Sequence, residues 1–518
     1  MNETHVAVNV FIALLLVASA VAMATKWIRV PYTLALVIVG LAISPMHFIP
    51  AVHVSPELIL LIFLPALLFE AAWNLKLQQL RENLLPIVVL AVAGVCLSAG
   101  VVAAVLHWAG GLTWQSALLF GSMISATDPV SVLALLKHYG LPKRLATIVE
   151  GESLFNDGTA VVVFRIVSGI AAGAASQSAG MLALESLREF GLVVVGGIAV
   201  GAIVGLLAST LTSYFDDRLL EITLTTIAAY GSFLLAEGLK VSPVIAVLIA
   251  GLVIGNYGRR TGMSATTEAA VNAFWEYAAF VVNSLVFLLI GLEIQMPVLF
   301  ANASMIGWAV VGVLISRAAA VYGLIPLSNL AGPTVPGRWR HVLVWGGLRG
   351  SLSVALVLSL PSAIPGRSQL VTMIFGTVIF SLLVQGLTMA RLLKFLGFTE
   401  APRTLRDFER LLGQLLSGAA ALRELDRLRA QGMLTEDTYE IYRDVSSREY
   451  QEAYQKFTEL KAADPMLQHR QEERIRRHLL DTRRTRLSEL LRQGIISEET
   501  CRSLERELDQ TAAGWTEE

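Results

Sequence analysis

The chain has 518 residues, 55% of them hydrophobic and only 16% charged, with a mean hydropathy of +0.63. A soluble domain carries about 25% charge, so this composition excludes an ordinary soluble protein, and a formal net charge of −1 gives no sign of a nucleic-acid partner. The two cysteines, Cys96 and Cys501, make no disulfide framework.

Charge is unevenly spread: 44 of the 81 charged residues lie beyond residue 399, which divides the chain into an apolar part, 1–397, and a charged tail, 398–518. A helix needs roughly 20 apolar residues to cross a bilayer. Thirteen such runs follow one another, at about 6–25, 30–45, 56–74, 83–107, 113–136, 145–172, 187–213, 219–238, 242–256, 272–296, 303–328, 341–361 and 368–396. No positive residue precedes the first run, while Lys26 and Arg29 follow it, so it reads as a retained helix and not a cleaved signal peptide. Odd-numbered loops hold 12 Lys and Arg residues and even-numbered loops 3, which puts the odd loops and the tail in the cytoplasm and the N-terminus outside. The predicted fold is an all-α polytopic membrane protein of the cell membrane with about 13 transmembrane helices and a helical cytoplasmic tail.

Taken along the chain, several runs repeat. "PYTLALVIVGLAI" at 31–43 resembles "SPVIAVLIAGLVI" at 242–254. "FLPALLFE", ending at Glu70, echoes "VFLLIGLE", ending at Glu293; "SVLAL" at 131–135 echoes "SVAL" at 353–356. The partners are helices 2 and 9, 3 and 10, 5 and 12, each pair seven helices apart, so they run in opposite directions. Inverted repeats of this kind mark secondary transporters with a binding site near the midplane.

Charges inside a membrane are costly and default to function. The midplane candidates are Glu70, Asp128, Glu152, Asp157, Arg317 and Arg349; Glu221, Glu237, Glu276, Arg165 and Glu293 read as interfacial. Asp128 stands in "ATDPV", where Pro129 lacks an N–H and pushes the residue before it out of helical geometry. Helix 5 should break there. Its counterpart in helix 12, "WGGLRGSLSVAL" at 345–356, surrounds Arg349 with Gly346, Gly347 and Gly350 and should unwind as well. In "GESLFNDG", Ser153 and Asp157 stand four apart and share a helix face, a hydroxyl and a carboxylate suited to a small cation or a proton. Glu152 points about 100° away, and Arg349 is its expected counter-charge.

These motifs resemble the monovalent cation:proton antiporters of the NhaP and eukaryotic sodium–proton exchanger type. The resemblance covers about 10–397 and rests on "FLPALLFE" (63–70), "ATDPVSV" (126–132), "GESLFNDGTA" (151–160), "GLRGSLS" (347–353) and "LVQGLT" (383–388). It implies a fold of thirteen helices, two of them broken and crossing at its centre, in a homodimer. It implies that Asp157, beside Asn156, binds cation or proton, with Ser153, Thr127 and Glu70 helping to hold a transported Na+, and that Glu152 pairs with Arg349. Asp128 beside the break is either a second titrating group or a fixed charge. Asn156 is neutral where charge-moving antiporters often carry a second Asp, so exchange of one cation for one proton should be electroneutral. No cofactor is implied, and no "GxxxxGK[ST]" motif suggests ATP.

Three other readings are weaker. A potassium–proton antiporter would use the same scaffold. An intramembrane aspartyl protease also needs two membrane aspartates, but "LFN" precedes Asp157 where a Gly-x-Gly-Asp element is required. A channel would leave the inverted repeat unexplained. In the tail, "RAQGMLTEDTYEIYRD" (429–444) resembles "LRQGIISEETCRSLER" (491–506). In each a Gly stops one helix and Thr435 or Ser497 caps the next, predicting a pair of helical hairpins with a regulatory or dimer-stabilising role.

Overall fold

The computed structural model describes residues 3–25, 27, 31–44, 59–139, 141–171, 179–214, 217–294, 296–361, 364–398 and 403–463, with scattered residues between 479 and 508. The described residues are helical, with no strand among them. The chain divides into two compact units, Met1–Thr399 and Glu400–Glu518.

In the first unit the described part of each predicted apolar run lies mainly on a helical rod. The rods are α1 (Glu3–Thr25), α2 (Tyr32–Ile43), α3 (Ile59–Phe63 continuing as Leu64–Asn74) and α4 (Leu84–Trp108). Then come α5 in two halves (α5a, Trp114–Ile124; α5b, Val130–His138), α6 (Lys143–Ala171), α7 (Ala179–Thr212) and α8 (Arg218–Gly238). The remainder are α9 (Pro243–Gly258), α10 (Ala265–Glu293), α11 (Ala303–Ser328), α12 in two halves (α12a, Gly337–Trp345; α12b, Ser351–Leu358) and α13 (Arg367–Phe395). Seven rods, α4, α6, α7, α8, α10, α11 and α13, are each long and apolar enough to cross a membrane unaided. Others, such as α2 and α9, are shorter.

Local chemistry sets the starts. Thr113, Asp217, Ser242 and Ser264 each accept a hydrogen bond from a backbone N–H in the first turn of the following helix, satisfying donors that the helix itself cannot. Pro243 occupies the first turn of α9, where a missing N–H costs nothing.

The rods pack as two bundles. One holds α1–α3 and α7–α10; the other holds α4–α6 and α11–α13. Contact between them is thinner and runs chiefly through α6, with smaller contributions from α2 and α12b. The sequence repeat reappears in the packing. Gly40 of α2 lies so close to α10 that an added Cβ would stand 2.5 Å from the Leu288 carbonyl oxygen. Its repeat mate Gly251 of α9 lies in the same way against α3, 3.1 Å from the Phe69 carbonyl oxygen. Since α2 corresponds to α9 and α10 to α3, this is one contact made twice.

Four of the five charges read as interfacial are exposed: Arg165, Glu237, Glu276 and Glu293. Glu221 is a correction. It is fully buried in the first turn of α8, where the positive end of the helix favours a carboxylate.

The second unit contains a hairpin of α14 (Arg403–Ala430) and α15 (Glu436–Ala463). Phe408, Leu415, Ala453 and Phe457 form its apolar seam, and Gly432 ends the first helix with φ +70°. Ser497 accepts from the Thr500 N–H, as a cap should. Most of the second predicted hairpin, 491–506, lies outside the described residues.

Candidate functional site

Helix 5 leaves helical geometry over residues 125–129 and helix 12 over 346–350. The two gaps cross. The Asp128 N–H donates to the Leu348 carbonyl at 2.8 Å, so each extended segment satisfies the other's backbone. The approach requires glycine at 350: a Cβ there would stand 2.4 Å from the Cβ of Asp128.

Each gap carries one charge, and each charge meets helix ends of opposite sign. Arg349 donates Nη1 to the carbonyls of Ser125 and Ala126 at 2.8 and 3.2 Å, where α5a ends. Asp128 accepts from the Val130 N–H at 2.9 Å, where α5b begins, and lies against Gly350, which precedes α12b. A guanidinium at a C-terminus and a carboxylate at N-termini complement the partial charges of the half-helices. This geometry supports the fixed-charge role for Asp128.

The expected pairing of Glu152 with Arg349 is corrected. Arg317 of α11 holds Glu152 in a two-pronged ion pair, Nη1 to Oε1 at 2.7 Å and Nη2 to Oε2 at 2.8 Å. Both carboxylate oxygens are taken, and Arg317 places its Nε on the Leu343 carbonyl at 3.1 Å. Arg349 is occupied by the α5a carbonyls instead. Hydropathy marked Arg317 as a membrane charge, but helices five apart in sequence carry no local signal of who faces whom.

Asn156, one turn beyond Glu152 on α6, donates its amide to Glu152 Oε1 and Thr127 Oγ1, both at 3.3 Å. The Ser153 hydroxyl donates to the Thr127 carbonyl. These bonds tie α6 to the gap in helix 5 and bring Thr127, Asp128, Ser153, Asn156 and Asp157 together. They also leave oxygens over. Asn156 Oδ1 and Asp157 Oδ1 are buried and have no hydrogen-bond donor among the described residues. Ser153, its proton committed to Thr127, has lone pairs to offer.

Asp157 opens on a cavity of about 360 Å3 at the junction of the two bundles. Glu70, Thr127, Asp128, Glu150 and Ser153 share its wall, and no Lys, Arg or His does. Glu150 lies seven residues before Asp157 on nearly the same face of α6, about 10 Å nearer its start. Leu133 and Ala134 of α5b line the same end. The cavity therefore runs from Asp157 toward the side bearing Lys76 and Lys143. Glu70 lies on the opposite bundle, with Oε1 held by the Asn74 amide at 2.8 Å. Asn283 of α10, which the sequence reading passed over, also lines the cavity.

Irregular backbone at membrane depth is tolerated only where protein encloses it or it lines a cavity, and here both hold. Half-helix ends facing one another around buried charges serve secondary transporters, and that is the class of this chain, not an enzyme. It belongs to the family "sodium/hydrogen exchanger, transmembrane", which it matches over residues 11–395. It is 44% identical to the Na+/H+ antiporter ApNhaP of Aphanothece halophytica over 74% of this chain and 73% of that one. It is 38% identical to the low-affinity Na+/H+ antiporter NhaS1 of Synechocystis over 94% and 93% of the two chains. Among solved structures, the sodium proton antiporter MjNhaP1 of Methanocaldococcus jannaschii shares the fold with a TM-score of 0.64 at 20% identity, covering 77% of this chain and all of that one.

Proposed function

We propose that this protein exchanges Na+ for H+ across the cell membrane, and that the two compete for Asp157. The observation that carries this reading is the pair of buried oxygens on Asp157 and Asn156 that lack donors. Around them Asp128, Glu152, Arg317 and Arg349 are all engaged. A carboxylate away from bulk water needs a counter-charge. A proton supplies one and so does a monovalent cation, but a single carboxylate does not hold both. Coupling follows if the two bundles change their relation only when one of them is bound. The names of three of the relatives, each a Na+/H+ antiporter, support sodium as the cation.

Ser153, Thr127, Asn156 and Glu70 supply neutral and acidic oxygens suited to a hard cation, and Glu152–Arg317 keeps the α6 face in register. Asp128 is a fixed charge. With one exchanging carboxylate and a neutral Asn156, one proton moves for one Na+ and no net charge crosses.

The chain crosses the membrane thirteen times, with its N-terminus outside and its tail in the cytoplasm, and works as a homodimer. Support comes from the distribution of Lys and Arg in the loops and from exposed apolar side chains along α7, such as Leu192, Val195, Leu206 and Leu207. The tail hairpins regulate exchange without taking part in it.

The test is proton movement in proteoliposomes containing the purified protein, with Na+, Li+ and K+ offered in turn. Sodium should drive proton efflux, at a rate unchanged by a valinomycin-clamped potential. Correctly inserted protein that moves no protons in response to Na+ would refute the reading. A rate that follows the potential would refute electroneutrality and turn attention back to Asp128.

A further inference from the structure

The cavity has two walls, one on each bundle. Thr127, Ser153 and Asp157 lie on the α5–α6 wall. On the facing wall stands Asn283 of α10. From Ala278 to Leu292 this helix is apolar except for Asn283 and Ser284. Ser284 is satisfied: its hydroxyl bonds Tyr32 at 2.7 Å and the Phe280 carbonyl. Tyr32 in turn stacks on Phe280 with ring centroids 5.3 Å apart, which pins this part of α10 to α2. Asn283 has no such partner among the described residues.

An amide in the middle of a membrane helix is disfavoured unless something uses it. By sequence Asn283 falls halfway along the apolar stretch of α10, at the depth of the helix gaps. Gly350 of the helix-12 gap and Ser351 and Leu352, which open α12b, line the same cavity. At roughly 30 Å3 per water, a cavity of about 360 Å3 holds a cation with part of its hydration shell. A ligand on the far wall can then reach the ion directly or through one water.

We propose that Asn283 is a cation-selectivity residue: its carboxamide oxygen, on the wall opposite Asp157, stands in for part of the hydration shell of the entering ion and favours Na+ over K+. The direction follows from hydration. Na+ is the smaller ion and loses more on shedding water, so removing a protein oxygen penalises it more. The amide does not titrate, so it biases which cation competes with the proton and leaves the proton side alone. This inference rests on the exchange reading above.

Asn283→Leu removes the oxygen at similar volume, and Asn283→Gln keeps it on a longer arm. Initial rates in proteoliposomes should show the Leu variant with a sodium KM raised about five- to tenfold, the effect of one lost contact of ordinary hydrogen-bond strength. Its maximal rate should stay near that of the parent, its pH profile should not move, and its Na+/K+ preference should fall. The Gln variant should recover part of the preference. Stabilisation of the detergent-solubilised protein by Na+ should weaken in parallel, since a ligand stabilises according to its affinity. A Leu variant with parental sodium KM, selectivity and sodium-dependent stabilisation overturns the proposal. So does a variant that loses maximal rate and melting temperature together with selectivity unchanged, for that is a packing defect. Failure of the parent protein to exchange any cation would instead strike the exchange reading itself.

Discussion

The same two side chains meet twice in this protein under opposite conditions. Glu152 and Arg317 pair in the membrane unit with oxygen–nitrogen distances of 2.7 and 2.8 Å, and both residues are buried, 2% and 6% exposed. Glu424 and Arg427 pair in the tail at 2.6 and 2.9 Å, with side chains about half exposed. The hydrogen bonds are nearly identical; the surroundings are not. In the tail, water and salt offer each partner an alternative, so the pair adds little. Between α6 and α11 no alternative exists, and each charge is tolerable only because the other is there. Geometry alone does not say what a salt bridge contributes.

That contrast can be tested in descending order of effect. Asp157 is a half-buried acid with one buried oxygen that lacks a donor among the described residues, unlike either member of the pairs. Asp157→Asn should abolish sodium–proton exchange while the protein still inserts, and normal exchange by a folded variant would remove Asp157 from the mechanism. Next come Glu152→Ala and Arg317→Ala. Each strands a buried charge and should cost about 3–5 kcal/mol of stability, read as a large fall in melting temperature. The double variant should lose much less than the sum of the two, and strict additivity would show that the pair is not coupled. Arg349→Ala is the control for the corrected partner. It leaves two carbonyls without a charged donor, worth about 1.5–3 kcal/mol, and should be nearly additive with Glu152→Ala. A coupling as strong as that of Arg317 would restore the Glu152–Arg349 pair.

The smallest effect belongs to the tail. The hydrogen bond from Arg427 holds the Glu424 carboxyl below its ordinary value. A folded-state value below the unfolded one adds stability above the unfolded value, and that contribution fades as pH falls through the folded one. The contribution is therefore present at neutral pH but small at an exposed site, and Glu424→Gln should lower the melting temperature of the full-length protein only slightly there. A fall comparable to that of Glu152→Ala would erase the distinction between the two pairs.

Much of this was legible in the one-dimensional order of residues. Apolar runs of membrane length, Pro129 after Asp128 and three glycines around Arg349 announce helices and their breaks, because hydropathy and backbone sterics act locally. The four-residue spacing of Ser153 and Asp157 puts both on one helix face for the same reason. The inverted repeat could be read because it is a relation between sequences, and it reappears as the paired contacts of Gly40 and Gly251. Partnership was another matter. That Arg317 and not Arg349 meets Glu152, that Arg349 answers the end of α5a, that Glu221 is buried, and that Asn283 faces the cavity of Asp157 all depend on how separate helices pack. Helix packing is set by side-chain shape summed over whole surfaces, and a charge that is long-ranged in oil carries no label in the sequence naming the charge it will meet.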